Sequence, residues 1–370
     1  MIQLTRPSFG EAELAAVRDV LESGWVGLGP RTAAFEKAFA SYVGAPLCVG
    51  MNSATAALHL CLLLLDLEPG DEVVVPAITF VASAHAVRLA GGRVVLADVD
   101  PATLTIDPVD VERKLSSRTR AVVAVHYGGH PCAMDELGAL AAAHGLTIVE
   151  DAAHAAGARY RRRFVGQISP LTCFSFQATK NMTTGEGGAV TTDHEGYAAR
   201  LARLRCSGID RDTWQRVGGA RHDWSYDVAE VGYKYHMNDL AAAIGLVQLS
   251  RLEERNALRR TKAALYDEAF AGLGWLCRPI VHPWVTSAAH NYAIHVDRRD
   301  ELHVWLQERG IASSVHYEPL HHHSAYRGID AHVPAAEQEW RRILLLPLYP
   351  ELTDRDQARV IEAVRSFGSG

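Results

Sequence analysis

A chain of 370 residues that is 48% hydrophobic, 22% charged and 8% aromatic can bury a large core, enough for more than one domain. Its net charge of -6, without long runs of one sign, argues against binding nucleic acid or an anionic membrane through charge and points to a small-molecule partner. The six cysteines are scattered without CxxC pairs or zinc-type Cys/His spacing, so reduced thiols in a cytoplasmic protein are the expectation.

The opening MIQLTRPSFGEAELAAV meets proline and acidic residues before any apolar core, unlike a signal peptide. Ser8 and Glu11 stand in capping-box spacing, which predicts a helix whose apolar face carries Leu14, Val17 and Leu21. The run AALHLCLLLLDL is too short to span a bilayer. Next come short β-branched runs: EVVVPAI (72–78), GRVVLADVD (92–100), RAVVAVHY (120–127), LTIVED (146–151), LTCFSF (171–176) and GGAVTTD (187–193). Between several of them lie helical stretches such as TFVASAHAVRLAGG and AMDELGALAAAHG, each closed by glycine. That alternation predicts an α/β fold with a mostly parallel sheet covered on both faces. Residues 207–230 lack periodicity and read as a long loop, in which Arg211 and Trp214 are candidates for contact with substrate. From Asn238 to about Leu273 the pattern predicts one long or kinked helix leaving the first domain. The remainder predicts a smaller α+β domain with strand NYAIHV, helix RDELHVWLQERG, strand IASSVHY and a closing helix DRDQARVIEAVRSF. The expected division is 1–250 and 251–370.

Ligands of open α/β sheets lie beyond the carboxyl ends of the strands. Asp151 closes LTIVED, with His154 three residues on, and Ser175 closes LTCFSF, with Lys180 in the following turn. Ser53, Ala54 and Thr55 open the helix after CVGM, where free backbone N–H groups and hydroxyls suit a phosphate. An amine, a carboxylate at a buried strand end, a phosphate cradle and the aromatic Phe80 together fit pyridoxal phosphate: the aldehyde needs an amine and the pyridine nitrogen needs a carboxylate to keep its proton. The segment GLGPRT (27–32) follows a helix and lacks the acidic partner of a dinucleotide loop. Adjacent histidines do not face one centre in a regular element, so His321-His322-His323 reads as loop and no metal site is expected.

The runs MNSATAALHLCLLLLDLEPGDEVVVPAITF, VHYGG, EDAAHAAGARY, FSFQATKNMTTGEGG and GYKYHMNDLAAAIGLVQL, in this order between SGWVGLGP and LPLYP, resemble the sugar aminotransferases of the DegT/DnrJ/EryC/StrS type. The resemblance implies fold type I of the pyridoxal-phosphate enzymes, and it implies roles residue by residue. Lys180 is then the Schiff-base lysine and proton shuttle, and Asp151 the partner of the pyridine nitrogen. His154 lies near the phenolic oxygen, Ser175, Ala54 and Thr55 contact the phosphate, and Phe80 stacks on the ring. His236 stands where the family places Asn or Arg toward the neighbouring subunit's cofactor, and an imidazole still offers one hydrogen bond. His316 and Tyr317, in HYEPLH, and Trp25, in SGWVGLGP, are candidates for the substrate rim. The implied protein is a cytoplasmic homodimer with its active site at the interface. It transfers an amino group, from glutamate as in the family, to a nucleotide-linked keto sugar, with carbon 4 of a 6-deoxyhexose or pentose favoured and carbon 3 open. Two other readings stand beside it: a related dehydratase using pyridoxamine phosphate, against which Lys180 speaks, and a non-catalytic protein that has kept the fold.

Overall fold

The computed structural model describes residues 1–210 and 225–368. The six quoted runs all form strands of one sheet, joined by a further strand that the reading did not single out. In chain order these are β1 (Leu47–Met51), β2 (Glu72–Pro76), β3 (Arg93–Ala97), β4 (Thr119–Val125), β5 (Thr147–Asp151), β6 (Leu171–Ser175) and β7 (Gly188–Thr192). They lie in the order β1-β7-β6-β5-β4-β2-β3. Neighbours from β3 through to β6 run parallel, and β7 alone runs against both of its partners, β6 and β1. Every residue of β2, β6 and β7 is buried, as expected of β-branched strands covered on both faces.

Helix Ala54–Leu63 is apolar on every side and buries Ala56 through Leu62, so it serves as a core element beneath the sheet. The first helix begins later than the capping-box spacing suggests. It spans Glu11–Ser23, with Gly10 as N-cap, because Glu13 rather than Glu11 reaches back to accept the Gly10 N–H at 2.8 Å. Its Leu14 and Leu21 are exposed, so its inner face is not the one expected.

The predicted kinked helix is two helices, Asp239–Ser250 and Leu252–Ala269, that meet at Arg251. Asn238 caps the first by accepting the Ala241 N–H at 2.9 Å. The C-terminal part contains a three-stranded antiparallel sheet of β8 (Leu276–Cys277), β9 (Tyr292–Val296) and β10 (Ile343–Leu346). Helices Arg299–Glu308 and Asp354–Phe367 pack beside it as predicted. IASSVHY is not a strand, however. It makes only single bridges, Ile311 to Ile2 and Ser314 to Leu345, and the four-residue run ILLL takes the sheet position instead. Ile2 shares a core with Tyr266, Phe270 and Tyr292, so the start of the chain packs with the C-terminal elements.

Candidate active site

The carboxyl ends of β5 and β6 and the turn after β1 open onto one cavity of about 490 Å³. Ser53, Ala54, Thr55, Phe80, Asp151, His154, Ser175, Lys180, His316 and Tyr317 all line it, so ten of the residues singled out from sequence meet in one place. Its volume falls in the range usual for small-molecule sites.

Asp151 ends β5 and is buried. Ser83 donates to its Oδ2 at 2.7 Å and the Ala153 N–H to its Oδ1 at 3.1 Å, which fixes the carboxylate plane. Thr79 and Ser83, four residues apart, share a hydrogen bond of 2.8 Å. Lys180 is half-buried in the loop between β6 and β7. Burial lowers its ammonium from 10.5 to about 8, against the opposing pull of Asp151. An amine tuned in this way is a nucleophile and a proton carrier near neutral pH.

On the other side, Ser53 Oγ accepts the Ala56 N–H at 3.1 Å and thereby caps helix Ala54–Leu63. The N–H groups of Ala54 and Thr55 belong to the first turn, whose donors have no partner within the helix, and they join the Thr55 and Ser175 hydroxyls around the cavity. Gly188, at the start of β7, allows this approach: a Cβ there would lie 2.4 Å from the Ser53 carbonyl carbon and 2.6 Å from the Ala54 nitrogen.

His154 stacks on His290 with centroids 4.2 Å apart and lies 3.3 Å, Nε2 to Oη, from Tyr317. Burial, with Lys180 and His316 nearby, holds His154 well below its ordinary pKa, so the ring is neutral at pH 7. Its Nδ1 is buried and takes no hydrogen bond from the protein. His316 is lowered to about 4 by burial and by Lys180. Phe80, 54% exposed, forms the rim with Tyr317, ring centroids 5.9 Å apart.

Two of the residues singled out from sequence lie outside the cavity lining of a single chain. Trp25 does not line the cavity: its indole donates to Leu28 O at 3.0 Å and covers Gly29. His236 bridges Met51 through the backbone and is likewise outside the lining of its own chain. Arg211 and Trp214 lie outside the described residues. The reading of the adjacent histidines also fails for two of them, since His321 and His322 both turn Nε2 toward Glu337 Oε1.

Sequence reasoning missed Ser83, His290 and Asn181. Asn181, next to Lys180, donates to Asn256 Oδ1 and Ala288 O, both at 2.7 Å, and pairs with His290 Nδ1 at 2.9 Å. It thus ties the lysine loop to distant segments. Thr79 and Ser83 at i, i+4 in TFVASAH were the one local signal available.

The donor set fits pyridoxal phosphate: an amine of lowered pKa, a fixed buried carboxylate, free N–H groups with hydroxyls, and an unsatisfied buried imidazole nitrogen. Residues 7–365 match the profile of the DegT/DnrJ/EryC1/StrS aminotransferase family. The spore coat polysaccharide biosynthesis protein SpsC of Bacillus subtilis (strain 168) is 42% identical over 375 residues, 98% of this chain and 96% of SpsC. The aminotransferase TlmJ from Streptoalloteichus hindustanus superposes with a TM-score of 0.93 at 38% identity, covering 100% of this chain and 99% of TlmJ. Spr1654 from Streptococcus pneumoniae, solved in a PMP form, gives a TM-score of 0.93 at 31% identity over 100% of this chain and 99% of its own.

Proposed function

The chain belongs to the DegT/DnrJ/EryC1/StrS aminotransferase family, and from that premise we propose that it moves an amino group from glutamate to a nucleotide-linked keto sugar, at carbon 4 of a 6-deoxyhexose or pentose, with pyridoxal phosphate as its cofactor. The observation that carries this reading is that Lys180, Asp151 and the N-terminus of helix Ala54–Leu63 line one cavity. When bound, pyridoxal phosphate supplies an aldehyde that takes up and releases the amino group and a ring that absorbs negative charge.

The chain's residues do the rest. Lys180 would hold the cofactor by its amine and would carry a proton to the sugar carbon, a task for which a pKa of about 8 is suited. Asp151, fixed by Ser83 and Ala153, keeps the ring nitrogen protonated. Ser53, Thr55, Ser175 and the N–H groups at 54 and 55 would hold the phosphate, Phe80 would cover the ring, and neutral His154 would serve the phenolic oxygen. We assign His316 and Tyr317 to the sugar side and place His236 and Trp25 at the cavity of a second copy in a homodimer. Among the described residues no helix is long and apolar enough to cross a membrane, and we place the enzyme in the cytoplasm.

The test is incubation of the full chain with pyridoxal phosphate, glutamate and a panel of nucleotide-linked 4-keto and 3-keto sugars, followed by mass and proton spectra of the products. The expected product has an amine in place of the carbon-4 ketone. A deoxygenated sugar without nitrogen would move the enzyme to dehydration, and an amine at carbon 3 would move the position.

A further inference from the structure

We propose that His321, His322 and Glu337 form a binding site for a divalent transition-metal ion of the zinc type, apart from the cavity and independent of the sugar reading. The three side chains come from two anchored segments. The turn Leu320–His322 is held by the Leu320 N–H, which donates to Ala77 O at 2.9 Å just beyond β2. Helix Pro334–Glu339 is held by Asp98, just beyond β3, which accepts the N–H groups of Ala335 and Ala336 at 2.8 and 2.7 Å. The ligands are therefore positioned by the ends of two neighbouring strands of the main sheet.

His321 Nε2 and His322 Nε2 lie 2.7 and 2.6 Å from the same oxygen, Glu337 Oε1, and the three atoms all fall within 4.8 Å of one another. Ligand atoms around tetrahedral zinc sit about 2.0–2.2 Å from the ion, hence about 3.3 Å from each other, so a retreat of the carboxylate by roughly half an ångström opens the place. Two imidazoles and one carboxylate leave a fourth position for water. Nitrogen ligands select a transition ion over magnesium or calcium, which take oxygen.

The surroundings support the ligands. His322 Nδ1 lies 3.2 Å from Glu318 Oε1, so a proton on Nδ1 donates to that carboxylate and leaves Nε2 as the metal-facing lone pair. His321 Nδ1 is buried and takes no protein partner, so without an ion the His321 proton sits on Nε2 and donates to Glu337, and an ion takes the place of that proton. The second oxygen of Glu337 faces the Trp340 indole N–H at 3.4 Å and the Arg341 guanidinium at 3.6 Å. The three ligand side chains keep 17%, 25% and 31% of their surface exposed, which gives an ion a way in. An ion here clips the segment that follows His316 and Tyr317 to helix Pro334–Glu339.

The experiment titrates Zn²⁺ by calorimetry, and Co²⁺ by visible absorption, into the tag-free holoprotein and its H322Q and E337Q variants. The wild type is expected to bind one equivalent of Zn²⁺ that each variant loses or holds at least about 10-fold more weakly, and its Co²⁺ form is expected to show an absorption that the variants lack. Unfolding temperatures in chelator check that the variants are folded, and if E337Q is not, H322Q decides alone. Equal stoichiometry and affinity in the wild type and a folded variant overturn the proposal, as does a wild type that takes up no Zn²⁺.

Discussion

Lys180→Ala is expected to lower turnover of glutamate and keto sugar by at least about 10⁴-fold, because one change removes both the amine that holds the cofactor and the proton carrier. Lys180 sits in a loop, and its backbone N–H still donates to Gln177 O at 2.9 Å in the variant, so the fold survives. Lys180→Arg separates charge from proton transfer. It keeps a cation beside Asp151 but never gives up its proton, and the same loss is expected. Product formation over hours, with circular dichroism as a check on folding, measures both. Substantial turnover in either variant removes Lys180 from the chemistry.

Asp151→Asn keeps the shape and removes the charge, and a loss of about 10²–10³-fold in turnover is expected because a prepositioned charge partner is gone. A second, independent effect has a definite sign. The Asp151 carboxylate favours the ammonium form of Lys180, while burial disfavours it and wins. Without the carboxylate burial acts unopposed, so the Lys180 pKa falls below about 8. The rate at which an acylating reagent modifies Lys180 in cofactor-free protein, followed against pH, reports this directly. The midpoint moves to lower pH in Asp151→Asn, and an unchanged or higher midpoint contradicts the electrostatic coupling.

The main sheet was legible because its strands are buried on both faces, and runs such as EVVVP therefore carry a signal that needs no tertiary context. β1 escaped notice because LCVGM carries a single β-branched residue, Val49. β10 escaped because four apolar residues fit a strand or a helix equally well. IASSVHY reads as a strand but meets the outer edge of β10 through Ser314 alone, an outcome decided by tertiary packing. In the site, Asp151 and Ser175 stand at strand ends and Lys180 in the loop after one of them, where sequence order alone places them. His290 and Asn181 could not be read that way, being 109 positions apart and joined only by the fold. The pairing of His321 and His322 on Glu337 was hidden for a related reason: neighbours in a tight turn converge only because an anchored helix brings a carboxylate between them.

The most direct test of the central claim is the absorption spectrum of the full chain reconstituted with pyridoxal phosphate, recorded before and after addition of glutamate. A near-visible band that appears on reconstitution, is absent in Lys180→Ala, and converts to the shorter-wavelength amino form with glutamate is the predicted result. A wild-type spectrum without that band, or one that glutamate leaves unchanged, contradicts it.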